Sequence, residues 1–281
     1  MKLPEHAQAI IIGGGVSGCS VAYHLSALGW KDIVILERKK LTSGTTWHAA
    51  GLIGQLRHNL NMTRLAKYST NLYTSLEQET GISTGMKQNG SLTVALTSDR
   101  KDEIFRQASL ARAFEVEAYE VSVDEISKKY PHLNTDGIMA GVFLPKDGQA
   151  DPANIALALA KGARQRGVQI FEDIKVTKVN SKAGRVSGVS IRGNNENFGD
   201  IKSDIVINCA GMWSRELAAA NGVNIPLHAC EHFYIVTEPV DGLGQLPVLR
   251  VPDECAYYKE DAGKMLLGAF EPKAKPWGMD G

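Results

Sequence analysis

The stretch that most constrains the fold is Ala9-Ile-Ile-Ile-Gly-Gly-Gly-Val-Ser-Gly18. A short apolar, β-branched run leads into Gly13, Gly15 and Gly18, spaced G-x-G-x-x-G. Such a run predicts a strand buried on both faces, as in parallel sheets covered by helices. Gly13 permits a tight turn, Gly15 lets the backbone approach a pyrophosphate, and Gly18 lets the next helix pack close to the strand. That helix is predicted from Val16 to Leu28, with Val21, Ala22, Leu25 and Leu28 at helical spacing and Gly29 closing it. Its first amides, at Val16, Ser17 and Gly18, carry the positive end of the helix dipole toward phosphates. A second strand, Ile33 to Leu36, ends at Glu37, 19 residues after Gly18, where a carboxylate meets ribose hydroxyls. Strand, glycines, helix, strand and acid in this order predict a dinucleotide-binding unit in an α/β fold. NAD and FAD both satisfy it. Arg38 and Lys39 would suit a 2′-phosphate, which Glu37 disfavours.

Thr42 to Gly51 is small, polar and glycine-bearing, which suits a loop crossing close to a flat cofactor. His48 sits in it between Trp47 and Ala49. On local grounds alone such a histidine is a hydrogen-bonding group.

Gly13-Gly-Gly15, Leu36-Glu-Arg38 and Leu41-Thr-Ser-Gly-Thr-Thr-Trp-His-Ala-Ala-Gly-Leu52 together resemble the sarcosine and dimethylglycine dehydrogenases of the D-amino-acid-oxidase-like flavoprotein superfamily. The resemblance implies FAD as cofactor, bound covalently through His48. It places Gly13, Gly15, Val16, Ser17, Gly18, Glu37, Arg38, Ser43, Gly44, Thr45, Trp47, Gly51 and Leu52 around FAD. Ala210 and Gly211 match a further small-residue turn that passes close to it. A neutral imidazole is a competent nucleophile, and the flavin 8-methyl becomes electrophilic on tautomerising.

The remaining composition excludes several classes. The 281 residues carry 31 basic and 31 acidic side chains, so bulk charge offers nothing to nucleic acid or a membrane surface. No apolar run approaches the roughly 20 residues that span a bilayer. Only eight residues precede Ala9, so no leader is expected in this sequence. A cytoplasmic protein is expected, or a mitochondrial-matrix one with its transit peptide removed. Cys19, Cys209, Cys230 and Cys255 form no Cys-x-x-Cys pair, so no metal is expected. Cys19 and Cys209 read as buried small hydrophobes.

Farther on, 62–80 is predicted to be an amphipathic helix with Leu65, Tyr68, Leu72 and Leu76 on its apolar face. Ser91 to Leu96 reads as a strand. Ser98 is placed to cap a helix ending near Phe114, and Ser122-x-x-Glu125 is a capping box opening a short helix before Pro131. Residues 138–144 read as a strand, and Asp151-Pro152 opens a helix to Arg166. Strands follow at 168–171, 176–180 and 186–191, with an exposed turn between Gly193 and Gly199. Asp204 to Gly211 reads as a second buried strand, with a helix from Ser214. The layout resembles the superfamily's interleaved plan, a Rossmann-like FAD domain from 1–84 and 145–222 and a mostly antiparallel substrate domain from 85–144 and 223–281.

In the second half, Glu231 to Thr237 is predicted as a strand with His232, Tyr234 and Val236 on one face. In a strand from Ala256 to Lys259, Tyr257 and Tyr258 must face opposite ways. The resemblance implies that His232 and Tyr257 handle the amine proton. Hydride loss requires a neutral nitrogen lone pair, and a histidine is suited to taking that proton. The substrate so implied is a small N-methylated amino acid, sarcosine or dimethylglycine. Arg57, Arg250 and Lys259 are all available for its carboxylate, and no electron acceptor is indicated. Family members continue past residue 281 with further flavin-domain sequence and a folate domain, so tetrahydrofolate belongs only to a longer parent protein. Three alternatives stay open: a non-catalytic regulatory subunit on this fold, an oxidase of another secondary amine, and an NAD-dependent dehydrogenase.

Overall fold

The computed structural model describes residues 2–193 and 198–278. The turn expected after Gly193 falls, at 194–197, outside the described residues. The chain divides into two compact units. Met1–Ala49, Leu76–Thr84 and Pro152–Ala229 form the first, and Ala50–Ser75, Gly85–Asp151 and Cys230–Gly281 the second.

A four-stranded parallel sheet organises the first unit, in the order Val206–Asn208, Ala9–Ile12, Ile33–Leu36, Gln169–Phe171. The two middle strands are buried at every position, as their unbroken apolar runs require. The helix Val16–Ala27 packs against the helix Pro152–Gln165. Gly162 allows that approach, since a Cβ there would lie 2.8 Å from the Tyr23 ring. An antiparallel sheet of Ile174–Lys182, Arg185–Gly193 and Phe198–Lys202 adds Val189, Ile191 and Ile201 to a core shared with Ile10, Val34 and Leu36. Each such side chain contributes roughly 1.5–3 kcal/mol by leaving water. Burial also pushes the Cys19 thiol up to about 12, so it stays protonated and inert.

The strand expected over 204–211 is shorter and less buried than its composition implies. Only Val206–Asn208 pairs, and it is half-buried or exposed because it forms a sheet edge with one neighbour. Cys209 lies just past it and is partly exposed.

The second unit is built on a seven-stranded sheet. Its order is Tyr234–Val236, Lys264–Ala269, Ala256–Asp261, Val248–Val251, Ser91–Ala95, Ala140–Leu144, Tyr119–Val121. All neighbours are antiparallel except Val248–Val251 beside Ser91–Ala95. Period-two alternation divides its faces. Leu92, Val94, Leu249 and Val251 pack on Ile126 and Tyr130. Ala95, Val142 and Leu144 pack on Ile104, Ala108 and Ala111 of the helix Ser98–Ala113. Ser91, Thr93, Arg250 and Tyr257 belong to the second of these faces by register.

Two helices differ in detail from expectation. Thr97, not Ser98, caps the helix Ser98–Ala113, its hydroxyl accepting from the Arg100 amide. In the helix Leu60–Thr80, Leu65 and Tyr68 are exposed, whereas Thr63, Thr70, Leu76 and Thr80 are buried. Thr70 and Thr80 donate to the carbonyls of Ala66 and Leu76, so burying them leaves no hydroxyl unsatisfied. The Ser122–Glu125 capping box forms as expected.

Candidate functional site

In the first unit, the glycine turn is shaped by close backbone approaches. Gly13 has φ +108°, and a Cβ there would lie 2.4 Å from the Cys209 carbonyl oxygen. A Cβ on Gly18 would lie 1.9 Å from the Gly13 carbonyl oxygen. Gly18→Ala therefore has to push the helix off the strand. It is expected to destabilise the chain by at least about 1–3 kcal/mol, the range for overpacking. Urea unfolding checks this, and a midpoint equal to that of the unaltered chain would contradict it.

Glu37 accepts from the Gly14 amide at 2.7 Å and from the Lys39 amide at 2.8 Å. An ionised carboxylate has about four lone-pair positions, so two stay available for ribose hydroxyls. The Val16 amide donates to the Thr46 hydroxyl at 3.0 Å, and no side chain caps the helix at Gly15. Ser17 is exposed beside it. The Arg38 guanidinium lies 3.8 Å from the centre of the Trp213 ring. A Cβ on Gly44 would lie 3.4 Å from that ring, and one on Gly211 would lie 3.8 Å from Thr45 Oγ1. The loop carrying Ser43, Gly44 and Thr45 thus meets the turn carrying Ala210 and Gly211. This set of acceptors, exposed helix start and small-residue walls fits the adenosine and pyrophosphate parts of FAD. Thr46 and Trp213 lie outside the set that the sequence motifs point to. Trp213 carries a signal, an aromatic two residues past the small turn.

Trp47 and His48 are both exposed, their ring centres 3.8 Å apart and tilted by 34°. His48 Nδ1 lies 3.2 Å from the Gly44 carbonyl oxygen. A carbonyl only accepts, so in the neutral ring Nδ1 carries the proton and Nε2 keeps its lone pair. Gly51 and Leu52 fall in the second unit. There Gly51 has φ +78°, its carbonyl accepts from the Ala150 amide, and Leu52 pairs with Gln149.

The second unit holds the residues expected on the substrate side. His232 precedes the strand, which starts at Tyr234, so strand alternation does not govern its ring as expected. Tyr257 is buried, and Tyr258 packs against the opposite core. Tyr257 Oη lies 3.3 Å from His232 Nε2, and His232 Nδ1 lies 3.0 Å from Glu271 Oε2. Burial, then Tyr234 and Glu271, push the Tyr257 phenol up. Gly268 makes room for it, since a Cβ there would lie 2.1 Å from the Tyr257 ring. Phe270 stacks on His232 with centres 5.2 Å apart at 18°.

Of the three cations open for a carboxylate, Arg57 and Arg250 line one cavity of about 70 Å³ together with Asp147, Ser91, Thr93 and Gln107. Lys259 is buried and paired to Asp261 at 3.2 Å. Asp147 accepts from the Ser91 hydroxyl at 2.7 Å and the Gln55 amide at 2.9 Å. Burial pushes its carboxyl up. Arg250 keeps accessible surface, yet its crowded surroundings and then the Arg57 charge pull its guanidinium down. Two like charges beside one carboxylate favour a further anion. Among the described residues, no group of three or more His, Cys, Asp or Glu could hold a metal ion.

The family model described as FAD dependent oxidoreductase, DAO, matches residues 8–280. The chain belongs to this family. It is 40% identical over 280 residues to the mitochondrial pyruvate dehydrogenase phosphatase regulatory subunit of Mus musculus, covering 98% of this chain and 31% of that protein. It is 39% identical to the 4-methylaminobutanoate oxidase (formaldehyde-forming) of Paenarthrobacter nicotinovorans, covering 98% of this chain and 33% of that protein. It is 37% identical to the mitochondrial sarcosine dehydrogenase of Homo sapiens, covering 98% and 30%. This DAO-family chain therefore spans about a third of the length of these relatives. The crystal structure of L-proline dehydrogenase from P.horikoshii superposes with a TM-score of 0.89 at 25% identity, covering 97% of this chain and 71% of that one. Among the described residues, no helix is long and apolar enough to cross a membrane.

Proposed function

We propose that this chain oxidises the N-methyl group of a small secondary or tertiary amino acid, sarcosine or dimethylglycine, with FAD held covalently through His48. The observation that carries the substrate class lies in the second unit. Tyr257, hydrogen-bonded to His232, pairs in register with Arg250 of the arginine-lined cavity. A zwitterionic amino acid needs both, one group to take a proton from its nitrogen and another to hold its carboxylate. Relatives named for sarcosine and for 4-methylaminobutanoate support this class, since both compounds are N-methylated amino acids.

When bound, FAD supplies the hydride acceptor. The chain's residues do the rest. Gly13, Gly15 and Gly18 let backbone approach the pyrophosphate, Glu37 takes the ribose, and His48 offers Nε2 as the tether. Arg57 and Arg250 take the carboxylate and orient the bound amine. Tyr257 and His232 remove the ammonium proton, so that the nitrogen lone pair is free when hydride leaves.

The 40% identity to a phosphatase regulatory subunit supports a second reading, in which the fold binds a nucleotide without turnover. Anaerobic mixing separates the two. Flavin-loaded full-length protein is expected to lose its yellow colour with sarcosine or dimethylglycine. Arg250→Met should raise the substrate concentration for half-maximal bleaching about 10- to 100-fold, the equivalent of a charged hydrogen bond of roughly 1.5–3 kcal/mol. No bleaching with any N-methylated amino acid favours the regulatory reading.

A further inference from the structure

We infer that Glu271 is a positioning residue that fixes His232 with its proton on Nδ1, so that Nε2 stands ready to receive the proton of Tyr257. This rests on reading His232 and Tyr257 as the substrate-side pair. The geometry is directional. Glu271 Oε2 lies 3.0 Å from His232 Nδ1, and Oε1 accepts from the Phe233 amide at 3.3 Å. One carboxylate therefore grips both the imidazole and the backbone of the next residue. The hydrogen bond to His232 first, then those from its own backbone amide and the Phe233 amide, hold the carboxyl below its ordinary range, so it is an anion that only accepts.

Nδ1 must then be the donor in the neutral ring. Nε2 is left with a lone pair, 3.3 Å from Tyr257 Oη, and Tyr257 is the donor of that contact. The proton step balances without electrons. Tyr257 takes a proton from the substrate ammonium as its own moves to His232 Nε2. Tyrosine ends neutral, histidine ends as imidazolium, and the charge gained sits against the Glu271 anion. Glu231, on the same segment, is paired with Lys275 at 3.1 Å, so it does not compete as the counter-ion. Phe270 adds a mechanical part, stacking on His232 and lying 5.1 Å from the Tyr257 ring centre. Residues 270 and 271 thus hold both rings from one short segment.

Long-range proton–nitrogen spectra of the chain labelled at its seven histidines read the tautomer without cofactor or substrate, with His232 assigned by its loss in His232→Gln. The expected result is Nδ1–H in the unaltered chain. Glu271→Ala should drift toward the mixture of a free side chain, and Glu271→Gln, whose amide oxygen still accepts, should keep Nδ1–H. In flavin-loaded full-length protein, Glu271→Ala should slow flavin reduction at saturating substrate on the order of 10²-fold, the low end of what a positioned acid–base group contributes. The half-saturating substrate concentration should change less than about twofold, because uniform binding is untouched, and Glu271→Gln should recover part of the rate. An Nε2–H tautomer in the unaltered chain, or a tautomer unmoved by Glu271→Ala, overturns the inference. If the unaltered protein is never reduced by N-methylated amino acids, the functional reading fails while the tautomer result still decides the role of Glu271.

Discussion

His48→Ala protein is expected to give a colourless pellet on acid denaturation, where protein with His48 intact gives a yellow one. The change is all or none, because a covalent bond survives unfolding and a noncovalent cofactor does not. His48 Nδ1 faces the Gly44 carbonyl, so the proposed bond is expected at Nε2. Mass spectrometry of the peptide containing Trp47 and His48 should find the added mass on that imidazole. Unfolding is a poor rival explanation for the loss. His48 is exposed and its ring lies against Trp47, itself 53% exposed. Removing it should change stability by less than about 0.5 kcal/mol, as for most surface substitutions away from special features. A yellow pellet from His48→Ala, or an unmodified His48 peptide from protein made with ample riboflavin, would place the tether elsewhere or nowhere.

The parts of this molecule that were legible in sequence are those written in local patterns. The strand Ala9–Ile12, the three glycines and Glu37 occupy one short stretch. Each is demanded by the next, since a buried strand needs a turn, and the turn needs glycine where Cβ would strike Cys209 or Gly13. The Ser122–Glu125 box was equally readable, being a contact between near neighbours. Contacts between residues far apart in sequence were not readable. Arg57 and Arg250 share a cavity only because the loop after Gly54 runs beside the strand Val248–Val251. Trp213 meets Arg38 across 175 positions, and Glu271 meets His232 across 39. Periodicity misled in the helix Leu60–Thr80. Back-bonded threonines can be buried like alkyl side chains, a property that hydropathy does not record.

Tyr257→Phe and His232→Ala should each slow flavin reduction by about 10²–10⁴-fold, the usual contribution of a positioned acid–base group. Together they should cost little more than the worse of the two. Tyr257→Phe keeps the ring that fills the space above Gly268 and stacks near Phe270, removing only the oxygen. His232 is exposed, so its truncation opens no core cavity. Neither change should disturb the sheet. If the two groups act in series on one proton, cutting the path at either point stops the same transfer, and their losses cannot multiply. If each acts separately on the substrate, the losses multiply and the double variant falls by the product. A double-mutant cycle on the reduction rate therefore decides between a relay and two independent contacts. It does so on the one hydrogen bond, Tyr257 Oη to His232 Nε2, through which the proton would have to pass.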